Sequence, residues 1–464
     1  MNTIQNKLKT TSSERKTVFL FLGLRIYMSD LLRTDYIKAL SEKYRVIVFL
    51  RELEGEAPQE YYKNEHITYR TFKEPGGKFW TLFDGIFRNE LIRIFDDNPS
   101  VIWRNSFARD KRRLALRAIM RFFPRGLIKP RLLFWIERQF VPGYAMFQEY
   151  VREYRPALVL TATPGLQPSD AWPILCARKA GIPTVSVDTS WDNLSSHLRH
   201  VRNVDYFILW NNMMKDFAVN IHGYSPEHVF VSGAVRFDRY FITSPLEVDR
   251  ETFLKSKGLD PNRRTVFFAA RSYGDFFEKF IESFVEWQKT NAFGEPLNLF
   301  VRVHPVDAIQ PYEKFKGIDG VHVERSGKQR QSDSIGSHKV EMDERDYVNT
   351  KMTLKYCDVC VSIASTMSVE AMVFDKPVIN IGFAGEWSTI LTFPHYQPLI
   401  EWGGVQVARD MDDLKNHLER YLKDPSLDEE GRKKVLREVM YPTDGKSYLH
   451  SVDFLAEILA REGK

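Results

Sequence analysis

Three cysteines in 464 residues do not make a disulfide framework, which suits a reducing compartment. Two of them, Cys357 and Cys360, form a C-x-x-C inside "YCDVCVSI", which reads as a strand. Residues three apart on a strand point to opposite faces, so these sulfurs neither share a metal nor pair easily. No histidine cluster or second cysteine pair lies nearby, so no metal site is expected. No apolar run approaches the roughly 20 residues of a spanning helix. Residues 1–16, "MNTIQNKLKTTSSERK", form a polar tail without an apolar signal core, so the expected location is cytoplasmic. The chain also lacks a G-x-G-x-x-G, a Walker-type loop and a G-x-S-x-G elbow; the late "DGKS" has no earlier glycine of a P-loop.

What is present is a globular composition, 43% hydrophobic and 27% charged, long enough for two cores. The net charge of +5 is unevenly placed. Between Trp103 and Arg138 eleven Lys or Arg face only Asp110 and Glu137, interleaved with Leu, Ile, Phe and Trp. Such a segment suits an anionic membrane or a polyanionic substrate; it equally suits a solvated helix face whose apolar side packs on the core. Nucleic acid is not expected, since no recognised module accompanies the basic run.

Strand and helix patterns alternate along the chain. "TVFLFLG" is a continuous apolar run, as a parallel strand buried on both faces requires; a helical pattern and "RVIVFL" follow. "PALVLTAT", "PTVSVDTS", "VDYFILWN" and "HVFVSGA" continue the series. A polar stretch broken by Pro245 and Pro261 then precedes a second series, "TVFFAARS", "LNLFVRVHP", "MTLKYCDVCVSIAST" and "KPVINIG". The fold class is α/β: two doubly wound, Rossmann-like domains, 17–244 and 245–464, facing a central cleft.

Residues that carry chemistry fall at the expected strand ends. After "CVSIA", Ser362, Ser365, Thr366 and Ser368 crowd a helix start, where unpaired N–H groups and the helix dipole suit a phosphate. Glu370 follows Thr366 by four positions, one more than a capping box needs, and a carboxylate there suits the vicinal hydroxyls of a ribose. "FVRVHP" places Arg302 and His304 two apart at a strand end, and "AARSYG" adds Arg271 and Ser272; both suit a diphosphate. In the first half, "VDTSWDNLSSH" offers Asp192, His197 and Asp188, in that order of preference, as a general base. Asp192-Asn193 also suits a turn or cap, and Asp170 reads as an N-cap.

"SWDNLSSH", "VSGAVRFD", "RVHP", "SIASTMSVEAMVFDKPVI" and "DGKS" occur in an order that resembles GT-B-type glycosyltransferases of bacterial capsule and lipopolysaccharide synthesis, and more distantly CDP-glycerol glycerophosphotransferases. The resemblance spans roughly residues 155 to 455. It implies a nucleotide-activated sugar donor held by the second domain, a glycan or lipid-linked acceptor held by the first, and no metal or other cofactor. In that picture Ser365, Thr366, Arg271, Arg302 and His304 face the diphosphate and Glu370 faces the ribose. A CDP-alcohol phosphotransferase, a nonhydrolysing sugar-nucleotide epimerase and a non-catalytic assembly scaffold are the alternatives.

Overall fold

The structure is a computed structural model describing residues 15–51, 61–76, 130–166, 168–196, 204–271, 276–329 and 340–464. His197, Ser272 and most of the basic segment lie outside the described residues. Strand β1 (Thr17–Leu22) is buried along its whole length because both faces are covered. Val18, Leu20 and Leu22 pack on the helices Arg25–Leu32 and Tyr36–Lys43. Phe19 and Phe21 face the other way, toward Phe147 and Trp172; Phe21 stacks on Phe49 of the neighbouring strand at 4.3 Å.

The first sheet is parallel, ordered β3-β2-β1-β4-β5-β6-β7. Its other strands are β2 (Arg45–Arg51), β3 (Ile67–Phe72), β4 (Pro156–Thr161), β5 (Thr184–Val187), β6 (Tyr206–Leu209) and β7 (Val229–Val231). The second contains β8 (Arg264–Ala270), β9 (Leu297–Val303), β10 (Val321–Arg325), β13 (Val359–Ser362), β14 (Val378–Ile381) and β15 (Gln406–Ala408). It is ordered β10-β9-β8-β13-β14-β15; β11 (Lys328–Gln329) and β12 (Val340–Glu341) pair separately as a short antiparallel ladder. The strand order reverses direction between β1 and β4 in one sheet and between β8 and β13 in the other. In such sheets the carboxyl ends at the reversal diverge and leave a crevice.

Some elements differ from the sequence reading. Within "MTLKYCDVCVSIAST" only Val359–Ser362 is strand; Met352–Tyr356 close a helix, Glu344–Tyr356. Asp343 caps that helix by accepting from the Asp346 N–H, and the Asp346 side chain accepts from the Asp343 N–H in return. Asp170 is not an N-cap: it is the third residue of the helix Pro168–Lys179 and accepts a 2.6 Å bond from Thr163 Oγ1. The terminal helix Ser447–Arg461, counted with the second domain, packs on the first sheet through Val452, Leu455 and Ile458. Asp238 holds its start, accepting from the N–H groups of Ser447 and Tyr448. Cys357 and Cys360 are buried free thiols. Among the described residues no helix is long and apolar enough to cross a membrane.

Candidate functional site

At the reversal of the first sheet, β1 leaves through Gly23. A Cβ there would lie 2.1 Å from Ser169 Oγ and 2.9 Å from Asp170 Oδ1, so only glycine lets the chain pass the helix start. On the helix that follows, Arg25–Leu32, Asp30 is 2% exposed, and neither carboxylate oxygen has a hydrogen-bond partner. Arg236 Nε approaches it to 3.9 Å. Burial raises the Asp30 pKa, and Arg236 and Arg239 oppose that rise. Burial also works against the Arg236 charge, but Asp30 and Glu370 outweigh it and keep the guanidinium protonated. Asp30 was not singled out from the sequence. Its signal was an acid in the otherwise apolar "LGLRIYMSD", directly after a buried strand.

Strand β5 delivers Asp188, which is 1% exposed. Its Oδ1 accepts from Ser190 N–H (3.1 Å) and Asn193 Nδ2 (2.6 Å), while Oδ2 has no partner. Burial pushes its pKa up to about 7, against the bonds from Ser190 and Asn193. Asp192 does what a turn residue does: Oδ1 accepts from Ser190 Oγ (2.5 Å) and Oδ2 from Ser196 Oγ (3.2 Å). Its carbonyl takes the N–H groups of Ser195 and Ser196. Asp188 has the proton affinity a base near neutrality needs.

On the second sheet, the three expected strand ends are neighbours, because β9, β8 and β13 lie side by side. Ser365 precedes the helix Thr366–Met372 and makes no side-chain capping bond; Ser365 and Thr366 are half-buried. Ser362 and Ser368 turn inward. Ser368 Oγ meets Tyr396 OH (2.7 Å) and Asn380 Nδ2 (3.1 Å), and Asn380 also reaches Ser362 Oγ (3.2 Å). That buried network fixes the helix against β13 and β14. Glu370, 6% exposed, receives the Tyr240 hydroxyl. Burial and that carboxylate hold the Tyr240 phenol far above its ordinary pKa.

Arg271 pairs with the buried Asp307 (Nε–Oδ2, 2.8 Å). His304 sits beside them; its N–H bonds Ala270 O (3.0 Å) and its Nδ1 accepts from Val306 N–H (3.4 Å), leaving the ring proton on Nε2. Burial and then Arg271 lower its pKa to about 4, so the ring is neutral at pH 7. Arg302 is placed apart from this group. It is 4% exposed, and its guanidinium donates to Glu324 Oε1 (2.7 and 3.1 Å) and Thr353 Oγ1 (2.8 Å) on the face covered by Glu344–Tyr356.

The loops beyond the two sheets meet. Ser195 Oγ lies 2.6 Å from His395 Nδ1, and Trp191 packs edge-on against His395 and Tyr396. His395, in "FPHYQP", carried no sequence pattern that distinguished it.

No protein-family profile and no curated protein matches this chain by sequence. Solved structures do match along nearly all of it. An S. aureus MnaA–UDP co-structure superposes with a TM-score of 0.53 at 14% identity, covering 96% of this chain and 97% of that one. UDP-GlcNAc 2-epimerase from Neisseria meningitidis, bound to UDP-GlcNAc, gives 0.53 at 12% identity, covering 95% and 100%. The wall teichoic acid polymerase TagF, soaked with CDPG, gives 0.50 at 10% identity, covering 97% and 90%. With two parallel sheets that each reverse strand order, these likenesses show a two-domain α/β fold of the GT-B type.

Proposed function

We propose that the chain is a GT-B transferase that moves a sugar from a nucleotide-activated donor to a growing cell-surface glycan or lipid-linked acceptor, without a metal. The observation that carries this is the pairing of two sheet reversals, each furnished with polar groups the core does not need. At the β8/β13 reversal, Ser365, Thr366, Arg271, Ser272 and His304 would hold the diphosphate, and Glu370 the ribose. Arg302, committed to Glu324, would serve beneath this group rather than within it.

At the β1/β4/β5 edge, Asp188 takes the proton of the acceptor hydroxyl, with Asp192 and His197 as the other candidates. The new C–O bond forms as the bond to the diphosphate breaks, and the departing negative charge is met by Arg271 and the helix start. The basic segment 103–138 would hold the enzyme on an anionic membrane at the inner face of the plasma membrane. Its described end exposes Trp135 (53%), and Phe140 (73%) is exposed two residues beyond Arg138.

The test is a thermal-shift series with UDP, CDP, CMP, GDP and dTDP on the wild type and Glu370→Ala. Stabilisation by one nucleotide, reduced in the variant, supports the donor site. Turnover of a nucleotide sugar without acceptor would instead identify an epimerase, for which the fold likeness to UDP-GlcNAc 2-epimerase speaks. A CDP-alcohol donor consumed in place of a nucleotide sugar would identify a phosphotransferase. No response to any nucleotide would favour a non-catalytic scaffold.

A further inference from the structure

A cavity of about 400 Å³ opens where the first domain, the connecting segment and the second domain join. Arg33 and Lys38 line it from the first domain, Arg239 and Thr243 from the connection, and Tyr347 and Lys351 from the second. The volume is that of a small-molecule site, roughly 300–1,000 Å³. Its acids are engaged by the protein's own donors. Asp35 holds Lys38 (2.7 Å), Asp238 holds the N–H groups of Ser447 and Tyr448, and Glu344 meets Ser244 Oγ (3.3 Å).

Arg239 is not so engaged. The Arg239 guanidinium lies 3.5 Å over the Tyr347 ring, and its buried Nε and Nη1 have no acceptor; only Nη2 reaches Ser29 O, at 3.4 Å. A buried donor without an acceptor is costly. Stacking occupies the face of the guanidinium and holds a cation at the cavity wall for a carboxylate or phosphate to meet. Lys38 and Arg33 are likewise set against Tyr62 and Tyr61 at 5.7 and 5.3 Å, so aromatic faces fix three cations around one space. The cavity also adjoins the candidate centre. Arg239 lies between Arg236, which faces Asp30, and Tyr240, which bonds Glu370.

We infer that this cavity binds the acceptor and selects an acidic saccharide, its carboxylate or phosphate group seated on Arg239. The word acceptor rests on the transferase reading above; the anion preference rests on the cavity alone.

The test uses the full chain and saturation-transfer NMR with glucuronate, glucose 6-phosphate and glucose as probes. An acidic sugar should give a saturable signal that glucose does not match, and the two acidic probes separate a carboxylate from a phosphate preference. Arg239→Gln should weaken that binding by about tenfold, the scale of one lost charge-assisted contact. Thr243→Trp, at an exposed rim position, should block the space and abolish the signal. Both variants should keep the thermal shift given by the donor nucleotide. Equal binding of glucose, or acidic-sugar binding unmoved by either variant, would overturn the inference while leaving the donor site standing. Acidic-sugar binding lost in both variants, with no nucleotide effect in any protein, would support the cavity and remove the transferase reading.

Discussion

The hydroxyl of Tyr240, on the segment leaving the first sheet, donates to the Glu370 carboxylate on the helix that follows β13. One hydrogen bond thus ties the connection to the residue proposed to meet a ribose, and it occupies one oxygen, Oε2, of that carboxylate.

Tyr240→Phe should therefore lower stability without removing nucleotide binding. The lost donor leaves a buried acceptor, which costs about 1–3 kcal/mol. A ribose would then find Glu370 unoccupied, so the nucleotide-induced shift should be retained or larger. Chemical denaturation with and without nucleotide measures both; a shift lost together with the hydroxyl would remove Glu370 from the ribose role.

Asp188→Asn should stabilise the protein at alkaline pH and abolish turnover. Burial raises the Asp188 pKa to about 7, so the folded state holds a proton that the unfolded state gives up near the ordinary value of 3.8. Stability from this group is present below pH 4 and is lost as pH rises toward 7, by a few kcal/mol at most. Asparagine keeps the Oδ1 acceptor for Ser190 and Asn193 and removes the titration. Melting temperatures at pH 5 and 8 should diverge for the wild type more than for the variant.

His304→Gln should change the opposite limb of the pH profile. Here the folded pKa is lowered, to about 4, so the unfolded chain binds the extra proton between there and 6.5. Stability from the neutral ring is full above pH 6.5 and falls as pH drops toward 4. The wild type should lose melting temperature across that window, and the variant should lose less. Equal slopes would place the ring in water.

Arg302→Met separates a structural cation from a ligand-binding one. Removing it takes from Glu324, whose pKa burial would raise, one of the two cations, Arg302 and Lys257, that pull it well below the usual carboxylate range, and leaves Lys257 as the remaining one. The expected loss is about 3–5 kcal/mol, with the nucleotide affinity of the folded fraction unchanged. Calorimetric binding at low temperature checks the second half.

Much of this was written in local pattern. "TVFLFL" and "TVFFAA" are continuous apolar runs because helices cover both faces of their sheets, and the small polar residues after "CVSIA" mark a strand end. The edge strands Ile67–Phe72 and Val321–Arg325 were not anticipated, because each has a half-exposed face and no continuous run. The Ser/Thr cluster was legible as a group, but not its division: Ser362 and Ser368 lock a buried network while Ser365 and Thr366 stay accessible. Sequence spacing reports which residues share a turn, not which of them another element will use.

The sequence by itself determined the two α/β halves, the strand ends and the residue types placed there, since these depend on periodicity and neighbours within a few positions. Only the tertiary structure decided which charges were already answered. Arg302 pairs with Glu324 from the adjacent strand and donates to Thr353 on the covering helix, whereas neither oxygen of the Asp30 carboxylate has a hydrogen-bond partner at the junction of the two domains. Partners so distant in sequence leave no local signal. Whether a buried charge serves the fold or awaits a ligand depends on what packs against it.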